Sequence, residues 1–491
     1  MEEEKIDFEK MKRVPLASER AEIRSRRRKR FLVFLLCLLS LMAGIFADRV
    51  YTLANPVQKK ESNIYEQIKS IMGHTWLYSD LYEDLDKELE DKALYGMTAF
   101  DFDPYTTYMS DEEMNSFTDS INGNYVGIGV EYTNFNGKAM IVKVFYSSPA
   151  EKAGLQAGDA ILKVDGIDIV DADTEQIRSL VLGIEGTEVV LTIERGTEVF
   201  DVTVIRGVVN STVFAYKKDD LIVMELNSFG STTCEECIKY LDNFAGAGKI
   251  IVDLRGNGGG YQGSVRDICG LFIGPDEVYL RQRGVDGKET SDYTPSDSKH
   301  YDFDKIVLLV NGDTASAAEV FTIAVKERCE NVTIIGEKTF GKGVIQTNRV
   351  LNNGGVLKLT SYYWYSPDGV SIHEEGIAPD IEVKMPDIYY ESYYDLEEDE
   401  AYEFDSVSDS AKVTQKALQY LGYDIERTDG YFDASLRDAL ISYQAEHSLK
   451  ADGILDQTTF SSIISETSRE LSINDEKDTQ LQKALEVVRS E

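Results

Sequence analysis

The chain has 491 residues, room for about three folded units, and its 42% apolar and 28% charged residues are those of globular protein. Five cysteines are too few for a disulfide scaffold. A formal charge of −36 repels phosphate backbones, which excludes nucleic acid as a partner.

The first 30 residues run against that acidity, with 11 Lys/Arg and 7 Asp/Glu. Arg24, Arg26, Arg27, Arg28, Lys29 and Arg30 directly precede FLVFLLCLLSLMAGIFA, an uncharged run at 31–47. Its length is at the short end of what crosses a bilayer. Basic residues on its N-terminal side hold that end in the cytoplasm. The pattern predicts a cytoplasmic tail at 1–30, a single-pass anchor at 31–47 and an extracytoplasmic remainder. A signal peptide cut after Ala47 is the rival, although its charged region would ordinarily be shorter than 30 residues.

Residues 62–118 carry Leu, Tyr, Glu and Asp at helical spacing, with a break at Asp103-Pro104, since the residue before proline avoids the α region. From Gly123 to about Arg206 short β-rich runs alternate with Gly and Asp, as in a small β-sandwich or barrel. Then KIIVDL (249–254), KIVLLVN (305–311) and NVTIIG (331–336) read as strands buried on both faces. Each leads into small or polar residues. That is an α/β layout, whose sites gather beyond the carboxyl ends of the strands. Residues 386–409 are acidic without a Lys or Arg and predict a solvated linker. A small unit at 410–465 repeats an Asp-Gly pair (Asp429-Gly430, Asp452-Gly453), and the polar tail 466–491 is expected to be helical or frayed.

Three strand-end segments carry chemistry. In Asn311-Gly312-Asp313-Thr314-Ala315-Ser316-Ala317-Ala318-Glu319, small residues let the chain turn and set the Ser316 hydroxyl at a helix start, where an anion is stabilised. A plain helix-capping serine is the alternative. None of the four histidines lies in a Gly-rich turn after a strand, so a Ser-His-Asp triad through His373 has no support. Lys342, in Gly341-Lys342-Gly343-Val344-Ile345-Gln346, is the better base. Close packing around its glycines would bury the amine and bring its pKa towards about 7–8, with Gln346 holding it. Lys338 competes for this role. The third segment, Asp253-Leu254-Arg255-Gly256-Asn257-Gly258-Gly259-Gly260, can bring backbone N–H groups to a substrate oxygen; it lacks the ending of a phosphate-binding loop.

Together the three segments resemble the peptidase domain of the C-terminal processing peptidases, bacterial membrane-anchored or exported serine proteases. The resemblance implies Ser316 as nucleophile, Lys342 as general base and Gln346 as its positioning partner, with Gly259 and Ala317 donating oxyanion N–H groups. Gly258 and Ala318 depart from the family's frequent Pro and Ser. SYYWYSPDGVSIHEEGIAPDIEV (361–383) is similar to the segment closing that domain, which makes His373 structural or substrate-facing. Upstream, Gly127-Ile128-Gly129-Val130, Ser148-Pro149-Ala150, Gly158-Asp159 and Asp165-Gly166 look like a PDZ core at 119–207, whose Gly-Ile-Gly-Val turn would hold a peptide carboxylate. Residues 410–465 resemble a small helical peptidoglycan-binding domain, with Asp433 and Asp456 in place of the usual glycines.

The implied fold is multidomain α/β: transmembrane helix, helical segment at 62–118, PDZ β-sandwich or barrel, ClpP/crotonase-like α/β protease core at 208–385, acidic linker, and small helical C-terminal domain. The implied function is extracytoplasmic serine endopeptidase in the cell membrane, acting on substrate C-terminal tails and touching peptidoglycan, with no metal or organic cofactor. The helices at 62–118 could pair two subunits. Cys234 and Cys237 lack a second ligand pair and are expected at the start of a helix. An inert PDZ/wall-binding scaffold is the non-enzyme rival; a thioester enzyme using the Gly-rich loop is a second.

Overall fold

The computed structural model describes residues 64–490 except 136–137, 146–147, 171, 173, 197, 211, 393–395 and 398–399, and ahead of residue 64 only Arg26, Arg28, Lys29, Ser40 and Met42. The expected anchor at 31–47 thus lies almost wholly outside the described residues, among which no helix is long and apolar enough to cross a membrane. The chain divides into two units, 1–96 and 97–491. In the first, helix α1 (Ile64–Thr75) leaves Ile64, Ile68 and Ile71 exposed along one face, and Trp76 stacks on Tyr82. Helix α2 (Leu85–Thr98) carries the chain into the second unit.

Strand β1 (Thr107–Met109) and helix α3 (Asp111–Asn122) follow the Asp103-Pro104 break. Ser110 and Glu113 form a capping box at the start of α3, satisfying donors the first turn leaves open. A β-rich unit comes next. Strands β3 (Val130–Phe135), β4 (Lys138–Val144), β5 (Ala160–Val164), β7 (Glu188–Arg195) and β8 (Glu198–Ile205) form one sheet in that order, with the short strand β6 (Ile167–Asp168) paired to β5. Strands β2 (Asn124–Gly127) and β9 (Gly207–Asn210) pair where the chain enters and leaves it. β3 is an edge strand.

The central sheet has the order β10 (Val213–Lys218), β11 (Leu221–Leu226), β12 (Lys249–Asp253), β15 (Lys305–Val310), β16 (Val332–Gly336), β19 (Ile381–Glu382). All pairings after β10–β11 are parallel. β12, β15 and β16 therefore end on one side, and the three chemistry-bearing segments meet there. Helices Thr233–Asn243, Gln262–Ile273 and Ala317–Arg328 bury Tyr240, Ile268, Phe272, Val320 and Phe321 against Ile250, Val252, Leu308 and Val310 on one face. Cys234 and Cys237 lie in the first two turns of the first of these helices. A second, antiparallel sheet (β13 Val278–Gly284, β14 Glu289–Tyr293, β17 Val344–Val350, β18 Val356–Tyr365) takes in β1, so the segment before the β-rich unit is stitched to the core.

One expectation for the C-terminal region changes. Residues 386–409 are not simply solvated: Ile388 and Leu396 are buried in the same core as Leu418, Phe432, Leu440 and Phe460 of the small helical domain. The acidic residues sit around apolar anchors that the charge pattern masks. The tail takes the helical of its two expected forms. Helix Gln457–Ile473 extends beyond 465, and helix Thr479–Arg489 returns to cover the other face of the central sheet. Its Leu481, Ala484 and Val488 pack on Leu221, Val223, Ile251, Val307, Leu309 and Ile335. Parallel strands need both faces covered, and this last helix supplies the second cover. Leu481→Ala should cost about 2–4 kcal/mol, the usual effect of emptying a buried leucine site, read as a lowered melting temperature of the core; an unchanged melting temperature would remove the helix from the sheet.

Candidate active site

The turn after β15 is pinned before it reaches its serine. Asn311 Oδ1 accepts from Gly256 N–H and Asp313 N–H, and Thr314 Oγ1 donates to Leu254 carbonyl oxygen at 2.8 Å. Ala315 N–H donates to the Asn257 carbonyl at 2.9 Å. Ser316 then takes φ +56° and ψ −118°, outside the comfortable regions for a residue with a side chain, and the helix begins at Ala317. Strain of this kind persists only where the surroundings over-determine it.

Glu319 supplies that constraint. It is completely buried and collects four donors: Ser316 N–H and Lys342 N–H on one oxygen at 2.9 Å each, Gly341 N–H at 2.7 Å and Thr339 Oγ1–H at 2.6 Å on the other. One carboxylate thus ties the serine turn to the lysine turn. Burial nevertheless raises its pKa above the ordinary carboxylate value, against the pull of these hydrogen bonds. Phe340 N–H to the Thr314 carbonyl, 3.0 Å, is a second tie. Gly341 must be glycine: its φ is +92°, and a Cβ would lie 2.8 Å from Gly376 N.

Ser316, Ala317, Gly259, Lys342 and Gln346 all line one cavity of about 430 Å³. The Lys342 amine is pulled down to about 8, by burial first and by the neighbouring Lys358 second, while Glu319 opposes the change. Lys338 is exposed and does not line the cavity, whereas Lys342 does. His373 is also absent from the lining. It packs beneath Gly343 and edge-on to Tyr363.

Three details differ from the expected arrangement. No hydrogen bond joins Ser316 to Lys342; the amine rests over the Tyr105 ring, 4.5 Å from its centre. Gln346 points its amide at Thr360 Oγ1, at 3.5 Å, and does not hold the lysine. Gly259 N–H donates to Asn257 Oδ1 at 2.9 Å, which leaves Ala317 N–H as the open donor at the helix start. Gly259 itself is required. Its φ is +108°, and a Cβ would come within 2.9 Å of Ser316 Cβ. Sequence reading placed Glu319 within the serine motif without giving it a task; an acid at the third helical position beside a serine was the available signal.

Gly127, Ile128, Gly129 and Val130 lead into edge strand β3, away from the cavity lining. Ile128 is buried, and Gly129 at φ +84° approaches Ser148 too closely for any side chain.

Comparison with known proteins agrees with this architecture. Residues 220–383 match Peptidase family S41, 142–195 a PDZ domain and 408–463 a putative peptidoglycan binding domain. The chain is 34% identical to the carboxy-terminal processing protease CtpA of Bacillus subtilis, over 88% of this chain and 90% of that one. It is 33% identical to a probable CtpA-like serine protease of Staphylococcus haemolyticus, over 87% of each. Among solved structures, the photosystem II D1 C-terminal processing protease aligns with 64% of this chain and 88% of its own at 25% identity and TM-score 0.37. The site and fold are those of a serine-type peptidase. The chain belongs to the C-terminal processing peptidases of family S41 and carries PDZ and peptidoglycan-binding domains. Glu319→Gln should lower peptide-bond cleavage more than about tenfold, since loosening a catalytic arrangement is costly, with the circular-dichroism spectrum unchanged; full activity would show that the two turns hold their places without the carboxylate.

Proposed function

We propose that this chain is a membrane-anchored, extracytoplasmic endopeptidase that takes substrate C-terminal tails on its PDZ domain and cleaves through a Ser316–Lys342 dyad. The observation that carries the reading is a lysine amine brought to about 8 in the same cavity as a strained serine at a helix N-terminus. At that value a useful fraction is neutral near pH 7, as a general base requires.

In the reaction, neutral Lys342 leaves the Tyr105 ring and takes the Ser316 proton. The serine oxygen attacks the scissile carbonyl, and the negative oxygen that develops is held by Ala317 N–H at the helix start. The protonated amine then gives its proton to the leaving amine, and water, deprotonated in turn by Lys342, releases the acyl group. Gly259 N–H joins the oxyanion hole once Asn257 gives it up. Gln346 holds Lys342 only after the amine has left Tyr105. Tyr105 belongs to the segment immediately before the PDZ domain, and Lys143 of that domain pairs with Glu225 of the central sheet at 2.5 Å. These two separate contacts support a coupling between tail capture on β3 and the core. The exposed Ile64, Ile68 and Ile71 face supports pairing of two subunits through α1. The basic residues before 31–47 support a cytoplasmic N-terminus, and the wall-binding-type domain supports contact with peptidoglycan outside.

Lys342→Ala should reduce turnover of an unstructured protein ending in apolar residues by at least about 10²-fold, while Lys338→Ala stays near wild type. In the wild type, kcat/KM should rise with pH through about 8, because the form lacking the proton is the active one. Binding of the tail without fragments would favour the inert scaffold, and a rate falling across that interval would remove Lys342 as base. Deleting 123–206 should abolish or deregulate cleavage.

A further inference from the structure

Arg255 lies in the loop that carries Gly259, four residues before it, yet its guanidinium faces away from the cavity. Nε and Nη2 bind Asp253 at 2.6–3.0 Å. The remaining donors cross to the end of the chain: Nη2 to Asp478 Oδ2 at 2.8 Å, Nη1 to Asp478 Oδ1 and to Gln480 Oε1 at 3.1 Å each. Arg255, Asp253 and Asp478 are all largely withdrawn from solvent, at 17%, 13% and 14% exposure, so this is not a loose surface pair. Bidentate guanidinium–carboxylate geometry of this kind fixes orientation as well as distance.

The same guanidinium marks where the C-terminal domain leaves and returns. Met385 Sδ, at the departure point, is 3.5 Å from Nη1. Beside it the start of the returning helix is tied to the departing segment: Thr479 Oγ1 donates to the Lys384 carbonyl at 2.6 Å and Gln480 Nε2 to the Val383 carbonyl at 2.8 Å. Between these two points the wall-binding-type domain runs its helix Gln457–Ile473 alongside PDZ strand β3. Asp478 also caps the final helix through Leu481 N–H at 2.8 Å, so its position follows that of the helix covering the sheet.

We propose that Asp478 is a positioning residue of the peptidase: by holding Arg255 it sets the Gly256–Gly260 backbone, and so joins both ends of the peptidoglycan-binding domain to the loop that faces Ser316. The inference rests on the peptidase reading of Ser316. An Asp478 that lets go frees one side of Arg255 at the start of the loop, whose farther part stays tied through Gly256 to Asn311, through Asn257 to Leu226 and Ala315, and through Gly259 to Phe229. Force or ligand at the domain would reach the loop by this carboxylate.

The test uses the full-length chain and casein as an unstructured probe, with a fluorophosphonate to count reactive Ser316. Asp478→Asn should lower kcat per reactive serine about 10- to 100-fold, the scale of a displaced catalytic group, with KM within about twofold. Asp478→Glu, which can still reach the guanidinium, should recover most of the rate. A merely structural role would reduce the number of reactive serines and leave kcat for each unchanged; that result, or an unaltered rate in Asp478→Asn, overturns the proposal while the peptidase reading stands. If wild-type Ser316 is never labelled, that reading falls and this inference with it.

Discussion

A single buried carboxylate carries the geometry on which the site depends. Glu319 sits at no exposure with donors from Ser316, Thr339, Gly341 and Lys342 around it, so two loops from different strands share one set of acceptors. A buried acid is expensive unless its lone pairs are filled. Here they are filled by the very backbone that must be placed, and the cost of burying the charge becomes a penalty on any other arrangement of the two turns. The strained φ of Ser316 is tolerable for the same reason.

The electrostatics of Lys342 follow from competition between terms of opposite sign. Desolvation and Lys358 favour the neutral amine; Glu319 favours the charged one. Desolvation wins because the amine's nearest partner is an aromatic face, which offers a cation far less than a carboxylate would. Glu319 spends its own lone pairs on three backbone N–H groups and the Thr339 hydroxyl and does not form an ion pair with the lysine. A carboxylate turned towards that amine would have kept it protonated.

The parallel strands were legible because a strand buried on both faces is apolar at nearly every position, as KIIVD and KIVLLV are. The reactive turns were legible because glycine and alanine mark close backbone approach, and Gly259, Gly341 and Gly343 do stand where a Cβ would collide. Less was legible where partners are distant in sequence. Leu481, Ala484 and Val488 are spaced for a helix face, but nothing local says which sheet they cover. Tyr105 and Lys342 meet across more than 200 residues. Ile388 and Leu396 were hidden by the acids around them, since charge density describes the exposed side of a segment and is silent about its anchors.

These long-range contacts explain why the domain order along the chain is a poor guide to the catalytic unit. The central sheet needs a cover on its second face, and that cover comes from beyond the peptidoglycan-binding domain, so the domain is held at both ends by the peptidase rather than trailing from it. Arg255 makes the consequence chemical. One side of its guanidinium belongs to the strand end that begins the glycine loop, and the other to the last turn before the final helix. A displacement of that helix cannot leave the loop untouched unless the buried ion pair breaks, and breaking it would strand a desolvated charge. The fold therefore favours motion of sheet cover and glycine loop together, which places the end of the chain inside the peptidase's own conformational equilibrium.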